Sequence, residues 1–333
     1  MQTPNHEPST KLLAQQLLAR LNQGNVLENV LPGLDVLGRL SERLGAFLAD
    51  APKYRFSMRR YRNLLDSYYT SLPIKPCLRN STVVEVGCGV TNPWGLSTLF
   101  LALGAKKCHA FDLFPVEDAP RAACAIAELI RHLLSDPAQV LGSSAWAPWD
   151  LAKNLSGFDV AKLNRGDPSG VDRKRLRYAV APGKSLPLKD GKADVVVSTA
   201  VLEHVEDVEE VVAELARVTR SGGFNVHGID ATDHRRYHDK TIDQLDYLTI
   251  VTDEPHFFVG LPNQPSVGAW MNRKRPAEYR AILAKHGFDI LDVQVWSRAN
   301  VTRERRAQFV EPYRSMAIEE LEVTGARVLL RKR

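Results

Sequence analysis

Three parts of the chain have the residue types and spacing to do chemistry. The first is the run TVVEVGCGV at residues 82–90, a β-branched apolar stretch that holds Glu85 and ends in Gly87, Cys88 and Gly89. Glycines where a buried strand runs out let backbone approach a ligand closely. Glu85 can accept a hydrogen bond from a ligand amine or from an adjacent amide. Asn92-Pro93 then predicts a helix start, with Asn as cap and Pro at the first helical position. The free N–H groups of such a start suit an anion. The second part is Asp112, which ends the run KKCHAFD and can accept both hydroxyls of a ribose. The third is Glu203-His204 together with HGIDATDHRRYHD at 227–239, where His227, Asp230, Asp233, His234, His238 and Asp239 crowd.

Three readings fit that third part. One is proton removal from an acceptor hydroxyl, with Asp230 first in line, then His234, then His204. Another is a divalent metal, for which histidine and carboxylate are suitable ligands, although no spacing here is diagnostic. The last is a solvated loop whose Asp230 and Asp233 bind their own backbone. The sequence expectation is no metal, and activity unaffected by chelator. A rim of Asp230, Asp233 and Asp239 would favour a cationic amino sugar.

These residues need elements to hold them. From Thr82 onward strand and helix patterns alternate. TVVEV, KKCHAFD, LRYAV, ADVVVS and FNVHGI read as strands, the fourth continuously apolar as in a buried parallel sheet. Helices are expected at WGLSTLFLALG, ending at Gly104, at PRAACAIAELIRHLL, and after an Asp207/Glu210 capping box. Gly222-Gly223 is expected to end the last of these. AEYRAILAKHGF reads as helix, and FDILDVQVW and GARVLLRK as the closing strands. Residues 135–175 and 231–275 exceed normal connections and read as insertions. Residues 1–75 read as an N-terminal helical cap, with Leu12, Leu13, Leu17, Leu18 and Leu21 on one face. If that cap and the insertions fold over the site, some of Tyr54, Tyr61, Tyr68, Tyr69, Trp146, Trp149 and Trp270 line an acceptor pocket. The expected architecture is an α/β fold, an open sheet flanked by helices on both faces over 76–333.

In such a sheet a ligand binds beyond the carboxyl ends of the strands. A dinucleotide wants GxGxxG, and here the sixth position is Asn92, so that fingerprint fails. S-adenosylmethionine has no pyrophosphate and carries a small amino-acid head, which an acid-x-Gly-x-Gly turn suits. With Glu85-Val86-Gly87-Cys88-Gly89, Asp112, and the stretch from Ser185 to Phe224 (SLPLKDGKADVVVSTAVLEHVEDVEEVVAELARVTRSGGF), the chain resembles the class I S-adenosylmethionine-dependent methyltransferases, in their small-molecule branch. The similarity covers roughly residues 80–230.

The resemblance implies a Rossmann-like seven-stranded sheet, mostly parallel, with its last strand antiparallel. It implies S-adenosylmethionine as cofactor and S-adenosylhomocysteine as product. It implies Glu85, Gly87, Cys88 and Gly89 around the methionine head, Asp112 on the ribose and Ser198 at the end of the fourth strand. Two departures stand out. Thr91 sits where many members have a third glycine, and Ala181-Pro182 where many carry an acid near the adenine. The segment PNQPSVGAWMNRKRP, with its Asn-Arg pair, resembles one found in methyltransferases of sugars and natural products.

Bulk properties constrain the partners. Lys and Arg number 44 against 39 acids, a mild excess that permits an anionic partner without demanding one. Four cysteines show no metal spacing and read as reduced thiols. The N-terminus shows no signal pattern and no apolar run approaches a membrane span, so a cytoplasmic protein is expected. The leading expectation is methyl transfer to oxygen or nitrogen of a small polar acceptor such as a sugar, an amino sugar or another natural product. A nucleic-acid methyltransferase, using KYRFSMRRYR and the terminal RKR, and a non-catalytic cofactor-binding protein are the alternatives.

Overall fold

The computed structural model describes residues 78–141 and 148–333. The expected cap at 1–75, with its four tyrosines, and Trp146 lie outside these residues. Strand β1 (Thr82–Val86) is central and pairs in parallel with β2 (Lys107–Asp112) on one side and β4 (Ala193–Thr199) on the other. Strand β3 (Leu176–Val180) extends the sheet beyond β2, and β5 (Thr219–Asp230) lies beyond β4. The final pair, β8 (Phe288–Arg298) and β9 (Val323–Lys332), completes a seven-stranded sheet of order β3-β2-β1-β4-β5-β9-β8. Strand β9 is antiparallel to both its neighbours. The expected fold class is therefore the observed one. The chain steps outward from β1 to β3 and then returns to β4, so strand order reverses between β1 and β4, where an open α/β sheet leaves a crevice.

Alternate side chains of the inner strands feed two cores, as the two-residue period of a strand requires. Val83, Val195, Val197 and Val226 pack with α1 (Gly95–Ala102) and α2 (Ala119–Ser135). Val84, Val86 and Val196 pack with α6 (Val208–Val218) and α7 (Pro276–Lys285). Asp207 caps α6, its carboxylate accepting from the Glu210 N–H at 3.0 Å.

Two local expectations are corrected, and both expected insertions carry regular elements. Asn92 does not cap α1 with its side chain. The helix starts at Gly95 after Trp94, and the Asn92 carbonyl accepts the Gly95 N–H at 3.2 Å. Gly222-Gly223 does not end α6, which stops at Val218 and passes straight into β5. A Cβ on Gly223 would stand 2.9 Å from the Arg220 carbonyl oxygen, so glycine there permits a tight bend inside the strand. The expected insertion at 135–175 is helical over most of its described residues. It carries α3 (Pro137–Leu141), α4 (Pro148–Leu155) and α5 (Val160–Asn164), whose Leu141, Leu151, Leu155 and Leu163 join the first core. Short helices with few apolar positions give too weak a period to read alone.

The segment 231–275 is likewise structured. It forms the antiparallel hairpin β6 (His256–Leu261) and β7 (Gln264–Asn272). The hairpin shares a third core with Tyr247, Leu248, Phe309 and Leu321. Arg275 ties that core to the sheet. Its side chain is fully buried, and its guanidinium donates to the Leu321 carbonyl at 2.7 Å, to the Val323 carbonyl, and to the Tyr247 hydroxyl at 3.2 Å. The Tyr247 hydroxyl in turn donates to the Ala231 carbonyl just past β5, at 2.9 Å. Replacing Arg275 by Met strands these buried acceptors. Urea unfolding of R275M is expected to show a loss of about 2–5 kcal/mol; an unchanged midpoint would contradict the anchoring role.

Candidate active site

The turn after β1 is shaped by its glycines. Gly87 and Gly89 have φ of 70° and 83°, a left-handed conformation that side chains disfavour. A Cβ on Gly87 would lie 2.2 Å from Val201 Cγ2, so the loop after β4 sits directly on the turn. A Cβ on Gly89 would meet nothing within 4 Å, so open ground begins there. The Gly87 and Cys88 N–H groups donate to the Phe111 carbonyl at 2.8 and 3.1 Å. The Gly89 N–H donates to Asp112 Oδ2 at 2.7 Å, and the Phe114 N–H to Asp112 Oδ1 at 3.2 Å. These bonds hold the Asp112 carboxylate against the glycine turn, and each oxygen keeps a lone pair for a ligand hydroxyl.

Glu85 lies beneath. It is 7% exposed, and its Oε2 accepts the Ser97 hydroxyl at 2.8 Å. Burial pushes its pKa up to about 8, against the lowering effect of the Ser97 bonds and with a small upward push from Asp112. Cys88 stays a thiol, raised by burial and by the neighbouring acids. It supplies backbone here rather than a nucleophile.

Ser198 is buried, and its hydroxyl is 2.7 Å from His227 Nδ1. His227 Nε2 lies 3.3 Å from Asn225 Oδ1, an acceptor, so Nε2 carries the proton and Nδ1 accepts from Ser198. His227 is fully buried, and burial alone lowers its pKa to about 4. The pair joins β4 to β5, and what Ser198 leaves for a ligand is backbone.

The acceptor side is built by the ends of β4 and β5. Ala200, just after β4, has φ of 54°, a strained value for a residue with a side chain. The loop that follows is clamped from β7. Asn272 donates its carboxamide N–H groups to the Leu202 and Val205 carbonyls at 2.7 and 3.0 Å, and its backbone N–H to the Glu203 carbonyl at 2.8 Å. Glu203 is 1% exposed. Its Oε1 accepts the Asp230 N–H at 2.9 Å, while Oε2 has no hydrogen-bond partner among the described residues. Burial raises the Glu203 pKa to about 8, two backbone hydrogen bonds oppose the rise, and the Asp230 charge adds to it.

The three expected catalytic residues come together here. His204 and His234 meet edge to face, with ring centroids 4.7 Å apart. His204 Nδ1 is 2.7 Å from the Trp270 carbonyl, and His234 Nδ1 is 2.8 Å from the Thr232 carbonyl. A carbonyl only accepts, so both Nδ1 atoms carry protons and both Nε2 atoms keep lone pairs. Burial lowers the His204 pKa, against the raising effect of the Trp270 carbonyl. Asp230 Oδ1 accepts the Thr232 N–H at 3.1 Å, and Oδ2 accepts the Tyr237 hydroxyl. Tyr237 also packs on His234, at 5.1 Å between centroids.

The rest of the 227–239 cluster disperses. Asp233 is fully buried and paired with Arg235 at 2.6 Å. Asp239 accepts from the Thr241 N–H and hydroxyl at 2.9 and 2.6 Å in a local turn. The acidic rim expected of Asp230, Asp233 and Asp239 does not form, because Asp233 is neutralised inside the fold. A cavity of about 560 Å³ bounded by Trp94, His109, Phe111 and Tyr178 includes none of Glu85, Asp112, Glu203 or His234 in its walls, so it is not where this chemistry sits.

Residues 142–226 match a family described as methyltransferase domain, a stretch that runs from before β3 into β5. An uncharacterised methyltransferase of Mycobacterium sp. (strain JLS) is 50% identical over 50 residues, which are 15% of this chain and 20% of that protein. One from Mycobacteroides abscessus is 39% identical over 57 residues, 17% of this chain and 22% of that protein. The chain thus spans about a fifth of the length of the curated relatives it matches. Among solved structures, an S-adenosylmethionine-dependent methyltransferase from Mesorhizobium loti is similar over 80% of this chain and 100% of its own, with 14% identity and a TM-score of 0.41. The domain match makes residues 142–226 similar to a methyltransferase domain. No helix among the described residues is long and apolar enough to cross a membrane.

The Glu85 environment makes a prediction for the ligand-free protein. In the fold its pKa is about 8 against 4.5 in the open chain. Between those values the folded state holds a proton that the unfolded state has released, so stability falls as pH rises. Relative to Glu85→Gln, wild type is expected to lose stability progressively from about pH 5 to pH 8, at up to ~1.4 kcal/mol per pH unit. Urea unfolding of both proteins across that range reads the difference; a pH-independent difference would place Glu85 in a solvated setting.

Proposed function

We propose that the protein transfers a methyl group from S-adenosylmethionine to an oxygen or nitrogen of a small polar acceptor, such as a sugar or another natural product. One observation carries this reading: the Asp112 carboxylate is locked to the Gly89 N–H at the end of β2, beside open ground and next to the strand β1 that borders the switch point. That places a fixed hydroxyl acceptor next to a turn that backbone alone lines. A ribose with an amino-acid head fits this pairing, with Glu85 beneath the turn.

S-adenosylmethionine, when bound, supplies a methyl carbon on sulfonium that needs no further activation. The chain's own work is then to align the acceptor, exclude water and take a proton. Asp230 is the proposed proton acceptor. Its Oδ2 is engaged only by the Tyr237 hydroxyl and can accept from an acceptor hydroxyl as well. His204 and His234 stand beside it with free Nε2 lone pairs. Trp270, half exposed and stacked on His256 at 5.2 Å, offers an apolar wall for the acceptor. The dispersal of the acidic rim removes the argument for an amino sugar in particular, so a neutral hydroxyl acceptor fits better.

Calorimetry is expected to show S-adenosylhomocysteine binding that Asp112→Ala weakens by about 1.5–3 kcal/mol, the cost of a charge-assisted ribose contact. Binding of NAD in place of S-adenosylhomocysteine would sink the reading. Asp230→Asn is expected to lower turnover by about 10²–10⁴-fold while leaving cofactor affinity intact. Activity on a small acceptor should vary little with salt, whereas a nucleic-acid substrate would lose orders of magnitude in affinity between roughly 50 and 200 mM.

A further inference from the structure

We propose that Glu203, His204 and His234 form a binding site for one divalent transition-metal cation, with open coordination positions facing the acceptor. Their ligand atoms all lie within 4.8 Å of one another. Two ligand atoms held about 2.1 Å from one ion lie roughly 3–4 Å apart, so small rotations of the two half-buried imidazoles bring the set to ligating distance.

Three independent features point to a cation rather than to a chance meeting of side chains. The first is Glu203 Oε2, which has no hydrogen-bond partner among the described residues although the residue is 1% exposed. A buried carboxylate oxygen left bare is costly, and a cation satisfies it. The second is the tautomer. Both histidines give Nδ1–H to backbone carbonyls, at 2.7 and 2.8 Å, which leaves both Nε2 atoms unprotonated with a lone pair to offer. Metal-binding histidines are oriented by this kind of contact. The third is rigidity. His204 and Glu203 lie on the loop that Asn272 holds by three hydrogen bonds, and the His256 Nε2–H donates to the His204 carbonyl at 2.9 Å.

The site lies where a cation can act on the proposed reaction, and this inference rests on that reading. Val201, two residues before Glu203, touches the glycine turn. Two imidazoles and one carboxylate leave positions open for a substrate oxygen. A hydroxyl bound there becomes more acidic. Its O–H bond breaks, the proton passes to the Asp230 carboxylate, and the alkoxide stays on the cation. The acceptor class this selects is a hydroxyl compound that can ligate a metal. Chelator-insensitive activity, the expectation from sequence, is replaced by metal dependence. Sequence showed no ligand spacing because Glu203 and His234 come from different strand ends.

Cobalt(II) titration of the tag-free full chain tests the site through visible absorption, and calorimetry with S-adenosylhomocysteine runs alongside. One cobalt per chain is expected, with a d–d band. His204→Ala and His234→Ala should each weaken cobalt binding at least about tenfold, and Glu203→Gln should do the same. Asp230→Asn should keep the band. All variants should keep S-adenosylhomocysteine binding, which also reports that they fold. No band in wild type, or a band unmoved by the histidine variants, would overturn the metal site while S-adenosylhomocysteine binding leaves the methyltransferase reading standing. Loss of S-adenosylhomocysteine binding in wild type, with cobalt still bound by the three residues, would separate the two the other way.

Discussion

A buried positive charge with no ion-pair partner among the described residues ties the third core to the end of the sheet. Arg275 is wholly buried and answers to carbonyl and hydroxyl oxygens, not to a carboxylate. Its partners come from the end of the third core and the entry to β9. They connect through Tyr247 to the loop after β5. Carbonyl dipoles from several segments converge on one planar fork, a geometry that guanidinium suits and ammonium does not. The hairpin β6–β7, the loop at 231–239 and the closing strands are thereby set against the sheet end where chemistry is placed. The neighbouring Arg273 works the same way, donating to the Ile250 carbonyl at 2.8 Å and lying over the Phe257 and Tyr313 rings.

The site itself concentrates buried acid. Glu85 and Glu203 are both nearly inaccessible, both are pushed toward the protonated form, and they flank the crevice from below the glycine turn and from the loop after β4. Burying two carboxylates without basic partners is unfavourable, and perturbed acids of this kind concentrate where ligands bind. The cationic head of the cofactor and a divalent ion are the two charges that would compensate them. Both acids sit in frames that cannot easily relax. Glu85 is in the central strand, and Glu203 is on the loop clamped by Asn272. The cost of assembling the site therefore falls on the fold rather than on the ligand, which is what preorganisation means in energetic terms.

Local pattern made much of the molecule legible. The strand-to-glycine turn at Glu85–Gly89 and the acid ending β2 follow from adjacent residues, and the structure places both where the pattern implied. The inner parallel strands were likewise readable, because buried parallel strands leave continuous apolar runs, whereas seven strands with β9 antiparallel followed only from the family resemblance. Short helices and hairpins were less so. The helices of 135–175 were hidden because they are only one or two turns long, and the β6–β7 hairpin carries exposed residues on much of its length. Asn92 and Gly222-Gly223 show the limit of single-residue signals, since tertiary packing moved both element boundaries.

What the sequence by itself determined is the supply of groups: the glycine turn, Asp112, and histidines and acids after the fourth and fifth strands. What only the tertiary structure decided is which of those groups act. Asp233 and Asp239 leave the chemistry because the neighbouring Arg235 and a threonine turn claim them. His227 leaves it because Ser198 and Asn225 enclose it. Glu203 enters because Asn272, Asp230 and burial isolate one of its oxygens. The Nε2 lone pairs of His204 and His234 stay unprotonated because the distant Trp270 carbonyl and the nearby Thr232 carbonyl hold their other nitrogens. Residue type and spacing fix what a side chain can donate or accept. Burial and long-range hydrogen bonds, which no local window contains, fix whether that capacity is already used.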